Sequence, residues 1–145
     1  MSEVNKAVAR RTLEEILPAC DVEGLAEVTD VNVIAHGARP GEPAGLEGVT
    51  ATMLWLGRVF SNQRWEIRHL IGDGDLVAVH ATHHAVHTGD LMGIAPTGRE
   101  VAYDYVHILR FRDGKAVEHW SVRDDATLMR QLGVTPGRPA DAVPA

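Results

Sequence analysis

The sequence predicts an α+β fold: a strongly curved antiparallel sheet wrapped around N-terminal helices, a cone or barrel that encloses an apolar pocket. Three observations carry this expectation. Helical spacing of apolar residues is confined to the N-terminal part of the chain and a short stretch near its end. From residue 64 onward the apolar residues instead alternate along long runs, as they do on half-buried strands. Tight-turn signals, Gly72-Asp73-Gly74-Asp75 and Asp113-Gly114, separate those runs and join antiparallel neighbours. Helices first and long antiparallel strands afterwards define the α+β class.

Val4, Ala7, Val8, Leu13, Ile16 and Leu17 recur at helical spacing, with Lys6, Arg10, Arg11, Glu14 and Glu15 mostly between them, so residues 3–17 read as an amphipathic helix. Pro18 ends it, because a proline inside a helix removes a hydrogen bond and clashes one turn back. Asp21 caps a short second helix that runs to about Thr29. Val31–Ala35 is a brief apolar strand, followed by His36 and a loop, residues 37–45, dense in Gly and Pro. A third helix over 46–60 buries Val49, Met53, Leu54, Leu56, Val59 and Phe60. Strands follow at 64–71, with Trp65, Ile67 and His69 on one face, and at 76–88, 101–112 and 115–124. Leu91, Met92 and Ile94, in the loop before the strand at 101, would make an apolar lid. A short helix reaches Leu132. Residues 1–133 thus form one domain, and the Pro-rich tail 134–145 is expected to be mobile.

The chain of 145 residues is 45% hydrophobic and 23% charged, a globular composition able to bury one substantial core. Its net charge of −6 argues against a nucleic-acid or anionic-membrane partner, since either needs a basic footprint. No apolar run approaches the roughly 20 residues of a membrane span, and the start lacks the shape of a signal peptide, so a cytoplasmic location is expected. Cys20 is the only cysteine and reads as a small thiol near a helix end rather than a nucleophile. No GxSxG, phosphate-binding glycine loop or Cys–His signature occurs.

Four histidines cluster at 80, 83, 84 and 87. Neighbours on one face of a strand lie two residues apart, and no pair in this cluster does. His83 and His87 share a face but sit about 13 Å apart along a strand, too far to share one metal ion. No metal is therefore expected at this cluster, although a site assembled with His69 or His107 stays open.

The stronger constellation is at the Asp113-Gly114 hairpin. A two-residue turn sets Arg112 opposite Lys115, and the register then pairs His107 with Trp120, Tyr105 with Val122 and Tyr103 with Asp124. An imidazole, two phenols, an indole and a carboxylate would converge on one face. In a closed apolar pocket Asp124 would lose water and become a general base, while His107 or a tyrosine would donate a hydrogen bond to an oxyanion. A bulge in the loop would move Asp124 to the opposite face. The bland readings also stand: Asp124 or Asp125 as N-cap of the last helix, Tyr103, Tyr105 and Trp120 as sheet packing, and His107 as a core histidine. His36, Trp55, His83, His87 and Met92 complete the expected substrate-binding set.

These residues carry a resemblance. GLEGV at 45–49, VHTGDLMGIAPTG at 86–98 and RFRDGKAVEHW at 110–120 are similar to the SnoaL-like polyketide cyclase, or ester cyclase, family over roughly residues 5–133. The resemblance implies a ketosteroid-isomerase-like cone, a homodimer or homotetramer, and aldol closure of the last ring of polyketide methyl esters without metal or cofactor. The substrate would be a small hydrophobic carbonyl compound. It also implies an aspartate base four residues after the Trp of the EHW block, where Asp124 stands, with a nearby histidine for which His107 is the candidate. Ala81 and His83 stand where the family has bulkier apolar residues, and Arg123 where an aromatic is common; His83 would point inward. An Arg123–Asp125 catalytic pair is not expected, because adjacent strand residues point opposite ways. Related cones isomerise ketosteroids, hydrate epoxides or hydroxylate without cofactor, and others only bind a small ligand or dimerise.

Overall fold

In the computed structural model, which describes residues 2–38 and 40–134, five strands form one curved sheet with the helices packed into its concave side. Its helices are α1 (Ser2–Arg11), α2 (Leu17–Ala19), α3 (Val22–Val28), α4 (Gly45–Val59) and α5 (Asp125–Leu132). The strands are β1 (Thr29–Ala35), β2 (Phe60–Asp73), β3 (Leu76–His87), β4 (Glu100–Arg112) and β5 (Lys115–Arg123), in the order β1-β5-β4-β3-β2. Among the described residues no helix is long and apolar enough to cross a membrane. The tail expected to be mobile falls, from residue 135 on, outside the described residues.

Pro18 does not end the first helix. A π-helical segment, Thr12–Ile16, joins α1 to α2, and the widened turn lets helix continue through the proline to Cys20, whose left-handed backbone (φ 50°) closes it. Asp21 caps α3 as expected, accepting a bond from the Gly24 amide at 3.0 Å. The sheet is mixed rather than wholly antiparallel, because β1 runs parallel to β5. Neither chain-local pattern nor turn chemistry specifies that pairing; it follows from α3 delivering the chain to the free edge of β5.

Strand β4 alternates cleanly, with Val101, Tyr103, Tyr105, His107, Leu109 and Phe111 facing inward. Those side chains meet Trp65, Val77, Val79 and Ala81 from β2 and β3, and Ala9 and Leu13 from the first helix, in the main core. A second cluster, Ile16, Leu25, Val28 and Met53, joins the helices to one another. Asp113 and Gly114 both have positive φ (52° and 79°), the two-residue turn that the hairpin requires.

Two bulges reset the expected faces. Arg68 is the extra residue between Ile67 and His69, so His69 leaves the face of Trp65 and pairs with His80 on the convex side. Val117 is the extra residue on β5: Phe111 faces Ala116, but Arg110 faces Glu118. From there His107 pairs with Ser121 and Tyr105 with Arg123, one residue out of the register that a regular hairpin gives.

Candidate active site

The Val117 bulge decides what enters the cone. It turns His119, Ser121 and Arg123 inward and sends Trp120 and Val122 outward. Trp120 stacks on His36 on the convex face, with ring centroids 4.9 Å apart and planes within 8°, and His36 bonds Glu118 at 2.6 Å. Neither residue reaches the cavity that the sequence assigned to both.

Asp124 is also outside. It is the N-cap of α5, accepting the Thr127 amide at 3.0 Å and the Thr127 hydroxyl at 2.6 Å. Those bonds hold its exposed carboxyl below the usual carboxylate range, the opposite of the shift expected for a desolvated base. Its own amide donates to the Asp104 carbonyl, which fixes the cap to β4. The expected pairing of Tyr103 with Asp124 is therefore replaced by an ordinary capping arrangement.

The cavity at the mouth of the cone, about 370 Å³, lies between α4, the β3–β4 loop and the end of β5. Trp55 and Leu56 of α4 and Met92 of the loop supply its apolar side. Met92 and Gly93 both have positive φ (46° and 94°) in a tight turn closed by Leu91 and Ile94, which presents the Met92 side chain at the mouth. Tyr105, Ser121, Arg123 and Asp125 supply the polar side. Arg123 Nε donates to Asp125 Oδ1 at 2.5 Å. The alternation argument against this pair fails because Asp125 is no longer on the strand: it opens α5, and the turn brings its carboxylate back beside Arg123. Burial works against the Arg123 charge, but Tyr105 and Asp125 more than offset it and hold the guanidinium firmly charged. A larger groove of about 540 Å³ lies among Arg64, His84 and Glu100, away from the interior face where the phenols and imidazoles gather.

A separate chamber of about 60 Å³ lies on the His107 side of Tyr105, lined by His107 and His119 and by apolar side chains including Leu13, Leu25 and Phe111. His107 Nδ1 and His119 Nε2 are 3.0 Å apart, so the two imidazoles share one proton. Burial, then the neighbouring imidazoles, push His107 well below its ordinary value, and burial pushes His119 down to about 4. Tyr105 lies flat against His107, with centroids 4.8 Å apart and planes within 3°. On the other side of Tyr105 along β4, His83 pairs with Tyr103, donates from Nε2 to Gln63 Oε1 at 2.8 Å and accepts the Tyr103 hydroxyl at Nδ1, also 2.8 Å. Burial lowers His83 to about 3 and raises Tyr103. His87, fully buried, accepts from the Thr97 amide and anchors the end of the β3–β4 loop.

Of the residues singled out in the sequence, Tyr105, Trp55 and Met92 line the mouth, while His107, Tyr103, His83 and His87 form the buried polar interior. Asp124, Trp120 and His36 lie outside. Sequence reasoning missed Ser121 and His119, both hidden by the bulge, and discounted Arg123 and Asp125. The available signal was the two-residue spacing of Arg123 and Asp125 across a strand-to-helix junction.

Comparison with known proteins gives the family and the fold. Residues 7–132 match the family model described as SnoaL-like polyketide cyclase. The aklanonic acid methyl ester cyclase DnrD of Streptomyces peucetius is 28% identical over 126 residues, covering 85% of this chain and 87% of that protein. The aklanonic acid methyl ester cyclase AcmA of Streptomyces galilaeus is 32% identical over 90 residues, 61% of this chain and 62% of that protein. Among solved structures, IdmH of Streptomyces antibioticus superposes with a TM-score of 0.78 at 28% identity, over 90% of this chain and 99% of that one.

Proposed function

The chain belongs to the family of SnoaL-like polyketide cyclases, and on that premise we propose that it closes a ring in a small hydrophobic carbonyl compound, a polyketide methyl ester or a close analogue, by an intramolecular aldol-type step at the mouth of the cone. One observation carries the reading: the Arg123–Asp125 ion pair stands in the cavity wall beside the Tyr105 hydroxyl, opposite an apolar surface of Trp55, Leu56 and Met92.

Asp125 is the base. Arg123 holds one of its oxygens, leaving the other to take a proton from a carbon made acidic by adjacent carbonyls. An apolar substrate covering the pair excludes bulk water from the carboxylate while the proton is taken. The electrons of the broken C–H bond move onto the carbonyl oxygen, and that enolate oxygen accepts hydrogen bonds from the Tyr105 hydroxyl and the Arg123 guanidinium. The enolate carbon then attacks a second carbonyl of the same molecule, forming the ring C–C bond. The resulting alkoxide recovers the proton from Asp125, so substrate and product have the same mass. The cavity wall contributes by holding the chain of the substrate folded, which makes the two reacting carbons neighbours.

The reading is tested by incubating the protein with aklanonic acid methyl ester, named by its relatives, and separating products chromatographically. A new species of unchanged mass, formed by the wild type and lost in Arg123→Met, supports it. Unaltered substrate after saturating incubation contradicts it for that substrate class.

A further inference from the structure

Among the described residues three buried side-chain nitrogens have no hydrogen-bond partner: Trp65 Nε1, His107 Nε2 and, at the start of the β3–β4 loop, His87 Nε2. Trp65 is 4% exposed and His107 7%. Leaving such a group unpaired in a dry interior is costly, so native structures rarely keep one without a use. Two of the three, Trp65 and His107, belong to neighbouring rings, with centroids 5.3 Å apart and planes at 64°. Both rings also touch Tyr105, at 5.0 Å for Trp65 and 4.8 Å for His107, so they sit directly behind the mouth. His107 in addition lines the narrow chamber.

The local packing explains why the nitrogens are free. Trp65 lies face to face with His83 at 4.2 Å, which occupies the face of the indole and leaves its edge unbonded. His107 uses Nδ1 on His119, so only Nε2 remains. Indole N–H is a donor and nothing else, whereas the imidazole nitrogen is a donor or an acceptor according to which histidine of the pair carries the shared proton. An oxygen that accepts from the indole therefore suits both states: a carbonyl when His107 Nε2 bears hydrogen, an enol or phenol hydroxyl when it does not.

We propose that Trp65 and His107 form a second, deep subsite that takes one carbonyl or hydroxyl oxygen of the ligand, selecting polyoxygenated ring compounds over hydrocarbons of the same shape. The proposal rests on the mouth cavity being where the ligand enters, and it adds a specificity-determining contact remote from the Arg123–Asp125 pair. Nothing about Trp65 in the sequence announced it; its alternation placed it only on one strand face with Ile67 and His69.

A matched pair of probes tests this without requiring turnover. Fluorenone and fluorene share one flat shape and differ by a carbonyl oxygen. The wild type is expected to bind fluorenone about tenfold more tightly, the value of one well-made buried hydrogen bond. Trp65→Phe, which keeps an aromatic ring and removes the N–H, should bring the two affinities within about twofold. In the wild type, nitrogen-15 NMR should show the Trp65 indole proton moving downfield with fluorenone but not with fluorene, a readout that stands even where the variant fails to fold. Equal affinities, binding of neither compound, or an indole signal that ignores the carbonyl would overturn the proposal. Intact fluorenone selectivity together with no ring closure on any ester would contradict only the cyclase reading.

Discussion

Tyr105 stands opposite Arg123 across β4 and β5, not opposite Val122, and the extra residue Val117 is the cause. Because side chains on a strand alternate, this single insertion decides the inward or outward direction of every residue from Glu118 to Arg123. Deleting Val117 would restore a regular hairpin, drive Trp120 and Val122 into the cone, and expel Ser121 and Arg123. The expected outcome is loss of cooperative thermal unfolding, whereas Val117→Ala, which keeps the residue count, should shift the Tm by only a few degrees. A deletion variant that melts like the wild type would show that the register is set elsewhere.

Asp124 is a helix cap, so its substitution should register in stability and not in turnover. Asp124→Ala removes the acceptor for the Thr127 amide and lowers the urea midpoint, while Asp124→Asn, which accepts the same bond, lowers it less. The rate of ring closure should stay within about threefold in both, because neither touches the cavity wall. A large kinetic loss with an unchanged urea midpoint would be the opposite result.

These two cases show what could be read in the chain beforehand. The Asp113-Gly114 turn, the long alternating strands and the Asp21 cap are encoded by residues whose conformational needs are local, and they stand where the sequence put them. The bulges at Arg68 and Val117 carry no turn chemistry, and the parallel pairing of β1 depends on contacts distant in the chain, so neither left a local trace. Tyr105 and His107 were legible because β4 alternates without interruption. Asp125 was not, because the point where β5 stops and α5 begins decides whether Asp124 or Asp125 faces the cavity, and both carboxylates suit a helix start equally well.

The buried imidazoles make stability depend on pH with a definite sign. His83 and His119 are held down to about 3 and about 4 in the fold, and His107 is also depressed, whereas all three return to about 6.5 when unfolded. Above pH 6.5 both states are neutral and the contribution is complete. As the pH falls from about 6.5 towards 4, the unfolded chain takes up protons that the folded one refuses, and stability drops by up to about 1.4 kcal/mol per pH unit for each such group. Urea midpoints measured at pH 7, 5.5 and 4.5 should fall steadily. A flat or rising series would mean that these imidazoles accept protons in the folded state.

Arg123 has two tasks, one on Asp125 and one on Tyr105, which a planar fork performs and a point charge does not. Arg123→Lys should therefore lower kcat by about 10–100-fold while changing KM little, since the lost contacts matter most when charge develops on the enolate oxygen. An equal rise in KM at constant kcat would instead make Arg123 a ground-state binding residue.

The central claim is that the carboxylate doing the chemistry is Asp125 and not its neighbour. The most direct measurement is the rate of ring closure of aklanonic acid methyl ester by Asp125→Asn and Asp124→Asn, purified and compared in parallel. Loss of about a thousandfold in Asp125→Asn with near wild-type turnover in Asp124→Asn is the expected result. Full activity in Asp125→Asn with collapse in Asp124→Asn would contradict the account and return the base to the helix cap.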